Sequence, residues 1–286
     1  MGELFTRKSG ATTVNIEYYN NVADMAADCD RRQITDSNFH DMRTYDLRTD
    51  FHGVKSYSEA LDYLRNGYKP AVEELKADIK VNQTGTQRRT RVRNNVTGFA
   101  PVVPLALMGV PNAMLDKKIT KIKNKVIDIY YDEAYSCDTS SEEIIANGKH
   151  ILSAVIKLEA QGYATNIYCV TNHADADHAP VPHTCDMCVV KAKDSKQPLD
   201  LTKLSFILTH TAFFRCIGWD WYSKTPHAKY RGGYGVPISY KYKGDRLRQF
   251  GHDLFGENAV YIAGREILEK GADEIKQMLL DNSGNK

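Results

Sequence analysis

Residues 219–250 combine aromatic rings with positive charges in a pattern that suits single-stranded nucleic acid. The segment contains eight Trp, Tyr or Phe residues and seven Lys or Arg residues against two Asp. Cations contact phosphates, and aromatic rings stack on unpaired bases for about 1–3 kcal/mol each. We expect phosphate contacts from Lys229, Arg231, Lys241 and Lys243, and base stacking by Trp221, Tyr230, Tyr234, Tyr240 and Tyr242. The alternative is a long surface hairpin in which a Tyr-Lys-Tyr-Lys strand is half-buried and its lysines face water.

Two further basic segments extend this hypothesis. Residues 81–98 are polar enough to form an exposed loop and contain Arg88, Arg89, Arg91 and Arg93, whereas residues 117–125 contain five lysines and no acid. Since the formal net charge of the whole chain is only +2, the remainder of the chain is acidic. Three basic segments that meet on one face would form a phosphate-binding surface, and separate ones would be ordinary solvated surface.

A group of Cys and His residues between positions 169 and 188 could bind zinc. Cys185 and Cys188 have the Cys-x-x-Cys spacing of a zinc ligand pair, and His183 adds an imidazole two residues earlier. Zinc is therefore one candidate cofactor. The alternative is that the pair lies in a strand, where side chains alternate between faces, so that each thiol packs separately as a small apolar group.

The sequence lacks the motifs of common enzyme classes. It has no P-loop, no G-x-G-x-x-G at a strand-to-helix junction, no G-x-S-x-G elbow and no H-E-x-x-H helix. His210 and His252 are single histidines in apolar neighbourhoods, which favours structural roles. We therefore expect a binding protein without catalytic residues, with an unrecognised enzyme as the weaker hypothesis.

The elements that must position these residues are clearest after Lys125. A β-rich run at 126–131, an amphipathic stretch from Ser140 or Ser141 to about Gln161, and a second β-rich run at 164–170 predict a β-α-β unit with parallel strands. The pattern repeats more loosely, with a strand at 187–192, a helix at 201–217, a strand at 259–263 and a helix at 265–280. We predict an α/β fold with an open, mostly parallel sheet and helices on both faces.

The chain divides by pattern into two parts. Residues 1–115 are predicted to form an irregular, α-rich N-terminal extension with an amphipathic helix capped by Ser58 and the basic loop, and 116–286 to form the α/β domain, with 219–250 as an insertion. No run has the roughly 18–20 apolar residues of a membrane helix, and no apolar secretory segment begins the chain. Six cysteines with one close pair do not make a disulfide framework. We expect an intracellular protein with no membrane partner.

Longer stretches of the sequence resemble known families. VIDIYYDEAYSCDTSSEEIIANGKHILSAVIKLEAQGYATNIYCV resembles the opening β-α-β of von Willebrand factor A (vWA) domains, in which a strand delivers a D-x-S-x-S metal loop. Most of residues 56–220 resembles a family of uncharacterised bacteriophage and prophage proteins, through SYSEALDYLRNGY, PVVPLALMGVPNAM, LEAQGY and PLDLTKLSFILTHTAFFRCIGW. The resemblance implies a phage origin and a vWA-like or Rossmann-like core, and it implies no activity.

The vWA resemblance also implies a divalent cation such as Mg²⁺ at Asp132 and Ser136. Ala134 stands where the motif has a serine and removes one hydroxyl ligand, whereas such a cation needs several hard oxygens. The alternative is a polar loop that caps the following helix. Because ligands sit at the carboxyl ends of strands in open α/β sheets, the loop is a candidate site in either case.

These observations favour a non-enzymatic phage protein that binds nucleic acid, preferentially single-stranded, as an accessory to phage transcription or replication. Its location would be the cytoplasm of the infected bacterial host, and a phage or host polymerase or another protein would be a further partner. The alternative is a vWA-type protein-interaction module, metal-assisted through the degenerate D-x-S-x-S loop.

Overall fold

The computed structural model describes residues 2–73, 75, 89–120, 125–175, 182–230 and 233–283, with the side chains of 89–91 and 118–120 outside that description. The strands of these residues are β1 (Glu3–Ser9), β2 (Thr12–Tyr19), β3 (Arg89–Asn95), β4 (Ala100–Pro101), β5 (Met114–Thr120), β6 (Val126–Asp132), β7 (Ala164–Ala174), β8 (Thr184–Lys193) and β9 (Ala259–Ala263). The helices are α1 (Val22–Arg31), α2 (Thr49–His52), α3 (Tyr57–Asn66), α4 (Val103–Leu107), α5 (Ser141–Ala160), α6 (Leu201–Thr209), α7 (Trp219–Lys224), α8 (Asp245–Phe255) and α9 (Ala272–Asn282). Residues 69–73 are also helical, Phe213–Gly218 form a π-helix, and Ile238–Tyr240 and Gly264–Ile267 form 3₁₀ turns.

A six-stranded sheet of order β1-β2-β8-β7-β6-β9 forms the centre of the fold. Strands β2 and β8 are parallel, and β7, β6 and β9 form a second parallel group. The β1–β2 and β7–β8 pairs are antiparallel. The predicted α/β class with a mostly parallel sheet is therefore confirmed.

The β6-α5-β7 unit forms as the sequence predicts. Ser140 and Glu143 make a reciprocal capping box at the start of α5, because each side chain accepts a hydrogen bond from the other residue's backbone N–H. After α5, Gly162 adopts a φ of +91°, which lets the chain turn back into β7. Strand β8 follows β7 directly as its antiparallel neighbour, so this pair is an exception in the mostly parallel sheet.

Apolar side chains cover both faces of the sheet. One face carries the larger core, to which α1, α3, α5, α6, the π-helix, α7 and α9 contribute buried side chains. The opposite face packs against α8 through Leu247, Phe250 and Leu254. Helices therefore flank both faces, and within the described ranges no helix is long and apolar enough to cross a membrane.

The N-terminal part differs from the predicted irregular extension. Strand β2 lies inside the main sheet between β1 and β8, and its Val14 and Ile16 are fully buried. Helix α3 begins two residues earlier than predicted, because Ser56 rather than Ser58 accepts the capping hydrogen bond from Glu59 N–H.

Residues 89–120 form a separate three-stranded sheet of order β3-β5-β4 with the short helix α4. The predicted basic loop at 81–98 therefore contains a strand from Arg89 onwards. Several large apolar side chains in this segment face solvent, including Phe99 (57% exposed), Leu107 (83%) and Met108 (69%).

Candidate aromatic cleft at the carboxyl ends of the central strands

A cleft of about 300 Å³ lies where β6 and β7 end, and we call it the aromatic cleft. Its ring-bearing lining residues are Tyr135, His173, Phe214, Trp219, Tyr234 and Tyr240. Ser136, Cys137 and Asn172 add polar atoms to the wall. The carboxyl ends of parallel strands are the usual ligand position in open α/β sheets, and a cavity of this size is at the small end of ligand pockets.

Arg215 fixes one wall of the aromatic cleft. This buried side chain comes from the π-helix, and its guanidinium donates hydrogen bonds to the carbonyls of Ser136 (2.8 Å), Thr139 (2.6 Å) and Phe51 (2.9 Å). Burial lowers the pKa of Arg215 to about 10, so the group is still a cation at neutral pH. The Arg215 guanidinium thus holds the loop after β6 by its backbone carbonyls, which keeps Ser136 and Cys137 in place.

The segment after residue 232 crosses the end of β7 and forms the opposite wall. Ala174 and Val236 exchange backbone hydrogen bonds of 2.8 and 3.1 Å, and Ile238 N–H donates to Asn172 Oδ1 at 2.7 Å. Gly235 has a φ of +78°, and a Cβ there would lie 2.7 Å from the Ala174 carbonyl oxygen. Only glycine fits such a close approach, so this residue type is required for Tyr234 and Tyr240 to reach the cleft.

The aromatic rings of the cleft are ordered by their own contacts. Trp219 and Tyr234 stack with ring centroids 4.5 Å apart and an interplanar angle of 8°. The Arg265 guanidinium lies 3.8 Å from the centroid of the Tyr240 ring, which is cation–π geometry. All three rings are half-buried, so each presents part of its surface to a ligand.

His173 separates the aromatic cleft from a second cavity. Its Nδ1–H donates to the Tyr234 carbonyl at 2.6 Å, and its ring stacks on Tyr222 at 4.0 Å. Burial lowers the pKa of His173 to about 4, so the ring is neutral at pH 7. The other ring nitrogen, Nε2, is buried and has no hydrogen-bond partner.

The second cavity, of about 240 Å³, we call the polar cleft. Its wall contains His173, Asn15, Thr184 and Asp186 from the sheet, together with Asp175, His227 and Lys229 from connecting segments. Gly235 lines both cavities, as His173 does. The two clefts are therefore neighbours that share one wall.

At the predicted cation site, hydrogen bonds already engage the side chain of Asp132. This buried carboxylate already accepts hydrogen bonds from Ala134 N–H (2.9 Å), Asn172 Nδ2 (2.7 Å) and Tyr261 OH (2.9 Å). Burial raises its pKa to about 7, so the neutral acid and the carboxylate that a metal requires are present in comparable amounts at neutral pH. The Ser136 hydroxyl donates a hydrogen bond to Asp138 Oδ2 and accepts one from Asp138 N–H, each at 3.3 Å.

The predicted zinc ligands are also separated. Cys185 and Cys188 are fully buried on opposite faces of the sheet, in two different cores, because they stand three residues apart in β8. His183 is exposed outside the strand. Cys188 lies against Met25 Sδ at 4.0 Å, as a small apolar residue would. Among the described residues no three His, Cys, Asp or Glu side chains are grouped as metal ligands.

The predicted stacking residues divide into two groups. Trp221 is 1% exposed and donates its indole N–H to Glu17 at 2.8 Å, and Tyr242 is 2% exposed and hydrogen-bonded to Thr12, so neither can stack on a base. Tyr230 is half-buried with its ring edge-on to Phe39. Tyr234 and Tyr240 lie in the aromatic cleft.

The predicted phosphate-binding cations differ in exposure and in ion pairing. Lys229 is exposed at the polar cleft, Lys243 is exposed and Lys241 is half-buried. Arg93 is exposed but forms an ion pair with Asp116 at 3.2 Å. Arg88 and Arg231 lie outside the described residues, as do the side chains of Arg89 and Arg91.

Sequence reasoning missed Trp219, Phe214 and Cys137 as cleft residues. The signal for Trp219 was available, because residues two apart on a helix point roughly 200° apart, so Trp219 and Trp221 in one helix have opposite environments. Phe214 and Cys137 carry no such signal, since the π-helix and the loop that place them are tertiary features.

Three comparisons with known proteins complete this description. Searches of the curated proteins and of the solved structures both give no match. A family model does match residues 7–281, which is nearly the whole chain. The chain belongs to the family described as a domain of unknown function, DUF7192.

Proposed function

We propose that this protein binds single-stranded nucleic acid, with one unpaired base held in the aromatic cleft. The observation that carries the proposal is the set of half-buried rings, Trp219, Tyr234 and Tyr240, around a cavity of about 300 Å³ at the carboxyl ends of β6 and β7. A base has a flat π-face, and its stacking on aromatic side chains tolerates any sequence. This retains the role expected of Tyr234 and Tyr240 and transfers that of Trp221 to Trp219.

Positive charge near the rings supports the same function. Arg265 covers Tyr240, Lys241 directly follows Tyr240, and Lys229 stands at the neighbouring polar cleft. Lys229 is exposed and the other two cations are half-buried; cations that track a phosphate chain supply most of the salt-dependent affinity for a single strand. In keeping with the resemblance to phage proteins, the role proposed is that of a non-enzymatic accessory to phage transcription or replication.

Trp219 provides a direct assay, because the chain has two tryptophans and the other, Trp221, is buried. We expect a single-stranded oligonucleotide to quench the fluorescence of Trp219, and a duplex of the same length to quench it less. Affinity should fall with rising salt, with a log–log slope of about −0.7 per phosphate contacted. No quenching and no mobility shift at low salt would refute the proposal.

Two variants locate the base. Tyr240→Ala should weaken binding about 5- to 150-fold, the range that the loss of one base stack implies. Tyr45→Ala is the matched control, because Tyr45 is an exposed tyrosine outside the cleft lining, and its affinity should stay within about twofold of the wild type. Unfolding curves of both variants verify that the fold is intact. Equal affinities for both variants and the wild type would contradict the assignment of the cleft.

Protein interaction without a metal is the second candidate function. It is favoured by three large, exposed apolar side chains near the small sheet, Phe99, Leu107 and Met108, since a partner that removed them from water would gain free energy. A second copy of the chain is the partner to test first, by sedimentation at several protein concentrations. Self-association that Leu107→Glu abolishes, in a protein that binds no oligonucleotide, would make this the better function.

A further inference from the structure

A third cavity, of about 500 Å³, lies between helices α1, α3 and α6, and we call it the apolar groove. It shares no lining residue with the aromatic cleft or the polar cleft. We propose that the apolar groove binds a single-chain carboxylate, an anion of the fatty-acid class. This site goes beyond the proposed nucleic-acid function and is tested separately from it.

Small and apolar side chains form most of the wall of the apolar groove. They come from α1, α3, β8 and α6: Val22, Ala23, Ala26, Ala27, Leu61, Leu64, Ala192 and Ile207. Those on α1 recur at three- and four-residue spacing, so they share the helix face that is turned to the groove. The short alanine side chains leave space between α1 and α3. A volume of about 500 Å³ is within the usual range of ligand pockets, and an apolar wall suits a hydrocarbon chain.

Two cations lie together at one end of the apolar groove. The end of α3 meets the start of α6, because a Cβ on Gly67 would lie only 2.2 Å from the Thr202 carbonyl oxygen. Arg65, near the end of α3, and Lys203, in the first turn of α6, both line the groove and therefore share this end. The ammonium of Lys191, which also lines the groove, is already in an ion pair.

The opposite end of the apolar groove is acidic. Asp30, in the last turn of α1, is the carboxylate that lines the groove among the described residues. Just beyond α1, Thr35 N–H donates to the Ser223 carbonyl in α7, and at the start of α3 the Tyr57 hydroxyl donates to Asp220 in the same short helix. The end of α1 therefore lies near the start of α3, which places Asp30 away from the two cations.

This charge distribution selects a ligand with a single anionic head. The Arg65 guanidinium is exposed and has no ion-pair partner among the residues that the structure describes, whereas Lys203 makes a long ion pair of 3.8 Å with Asp200. A guanidinium presents parallel N–H donors that match the two oxygens of a carboxylate. Asp30 at the other end would repel a second anionic group, so a dicarboxylate or an acidic helix of a partner protein suits the groove less well.

The length of the apolar groove sets the length of the ligand. Tyr57 and Arg65 are eight residues apart on α3, which corresponds to about 12 Å along the helix axis. An extended hydrocarbon chain, whose C–C bonds are about 1.5 Å long and meet at an angle, covers that distance with about ten carbons. Decanoate is therefore the matching probe, with its carboxylate at Arg65 and its methyl group towards Asp30.

Isothermal titration calorimetry of the wild-type protein with hexanoate, octanoate and decanoate tests the fit of the chain. We expect the affinity to rise up to about fourfold for each added methylene group, the effect of burying one CH₂. Decanol and decylamine have the same chain with a neutral or a cationic head. Both should bind about tenfold or more weakly than decanoate, because they lack the charge-assisted hydrogen bonds of the carboxylate.

Two variants separate the head of the ligand from its chain. Arg65→Gln should weaken decanoate binding about tenfold and leave decanol binding unchanged. Arg7→Gln, at an exposed arginine of β1 outside the groove lining, is the matched control and should bind decanoate as the wild type does. Ala27→Phe, at an exposed alanine of the wall, fills the groove and should abolish binding of both ligands. Unfolding curves of all three variants verify that the fold is intact.

Several results would overturn the proposal. These are no binding of decanoate at millimolar concentration, decanol or decylamine binding as tightly as decanoate, equal decanoate affinities of Arg65→Gln and Arg7→Gln, or binding that survives in Ala27→Phe. A chain that binds no decanoate and sediments as a dimer, which Ala27→Phe dissociates, would assign the groove to a second copy of the protein instead. None of these results changes the outcome of the oligonucleotide titrations, so the two proposals fail or hold independently.

Discussion

Lys224 and Asp220 form a buried ion pair on α7, and breaking it tests the packing of the whole aromatic segment. Neither side chain has solvent exposure, and Lys224 Nζ lies 2.7 Å from Asp220 Oδ1. Tyr57 OH donates to Asp220 Oδ2 at 3.0 Å. Lys224→Met removes the cation and leaves the carboxylate with the Tyr57 hydroxyl. Removing one partner of a buried pair costs about 3–5 kcal/mol.

Protonation of Asp220 limits that cost by an amount that depends on pH. Asp220 can take up a proton instead of remaining a buried anion, and protonating a carboxyl with the ordinary pKa of 3.8 costs about 4 kcal/mol at pH 7 and about 1.6 kcal/mol at pH 5. In the variant the pKa of Asp220 is higher in the folded than in the unfolded state, so stability falls as pH rises above about 4. We expect a loss of about 3–4 kcal/mol at pH 7, and about 1–2 kcal/mol at pH 5.

Urea unfolding followed by tryptophan fluorescence at pH 5, 6 and 7 measures these free energies. The control is Lys229→Met, an exposed lysine in the same segment, which should change stability by less than about 0.5 kcal/mol. The double variant Asp220→Asn/Lys224→Met removes both charges and should recover most of the loss at pH 7. A Lys224→Met penalty that is equal at pH 5 and pH 7, or as small as that of the control, would refute the reasoning.

Four further results are expected. Gly148→Ala should destabilise the protein by about 3 kcal/mol or more in chemical unfolding, because a Cβ would lie 2.0 Å from the Leu208 carbonyl oxygen where α5 meets α6. Magnesium or a chelator should leave the melting temperature unchanged, since the oxygens of Asp132 already accept three hydrogen bonds; a rise with magnesium would restore the metal hypothesis. A thiol reagent should modify Cys137 alone in the folded protein, because the other five thiols are buried and burial raises their pKa, and Cys137→Ser should abolish the fast reaction. Burial lowers the pKa of His210 from 6.5 to about 4, so up to about 3 kcal/mol of stability should be lost as pH falls from 6.5 to 4, and His210→Asn should show a shallower acid loss.

Local patterns in the sequence predicted the local structure well. The β6-α5-β7 unit follows from apolar periodicity between a serine cap and Gly162, and the separation of Cys185 and Cys188 follows from strand alternation. Long-range pairing has no such signal. Nothing in residues 12–19 indicates that they pair with residues 184–190, because a strand pattern specifies a face to bury but no partner.

The sequence predicted only part of the candidate site, again because local patterns do not specify long-range contacts. Composition located the aromatic and basic segment, and Tyr234 and Tyr240 do line a cleft. Counting rings and charges does not distinguish surface from core, so Trp221 and Tyr242 were predicted to stack on bases although both are buried. Asp220 and Lys224 are four residues apart, which places them side by side on one face of a helix. This spacing was a sign of a buried ion pair, and a count of charges does not detect it.

The place of β2 in the sheet has a consequence for synthesis of the chain. Asn15 and Asp186, which stand opposite each other in β2 and β8, are 171 residues apart in sequence. At translation rates of about 5–20 residues per second, β2 waits roughly 10–30 s for its partner strand to be made. During that interval Val14 and Ile16, fully buried in the folded protein, have no sheet to enter. The first hairpin of the nascent chain therefore exposes apolar side chains that a chaperone could protect during this interval.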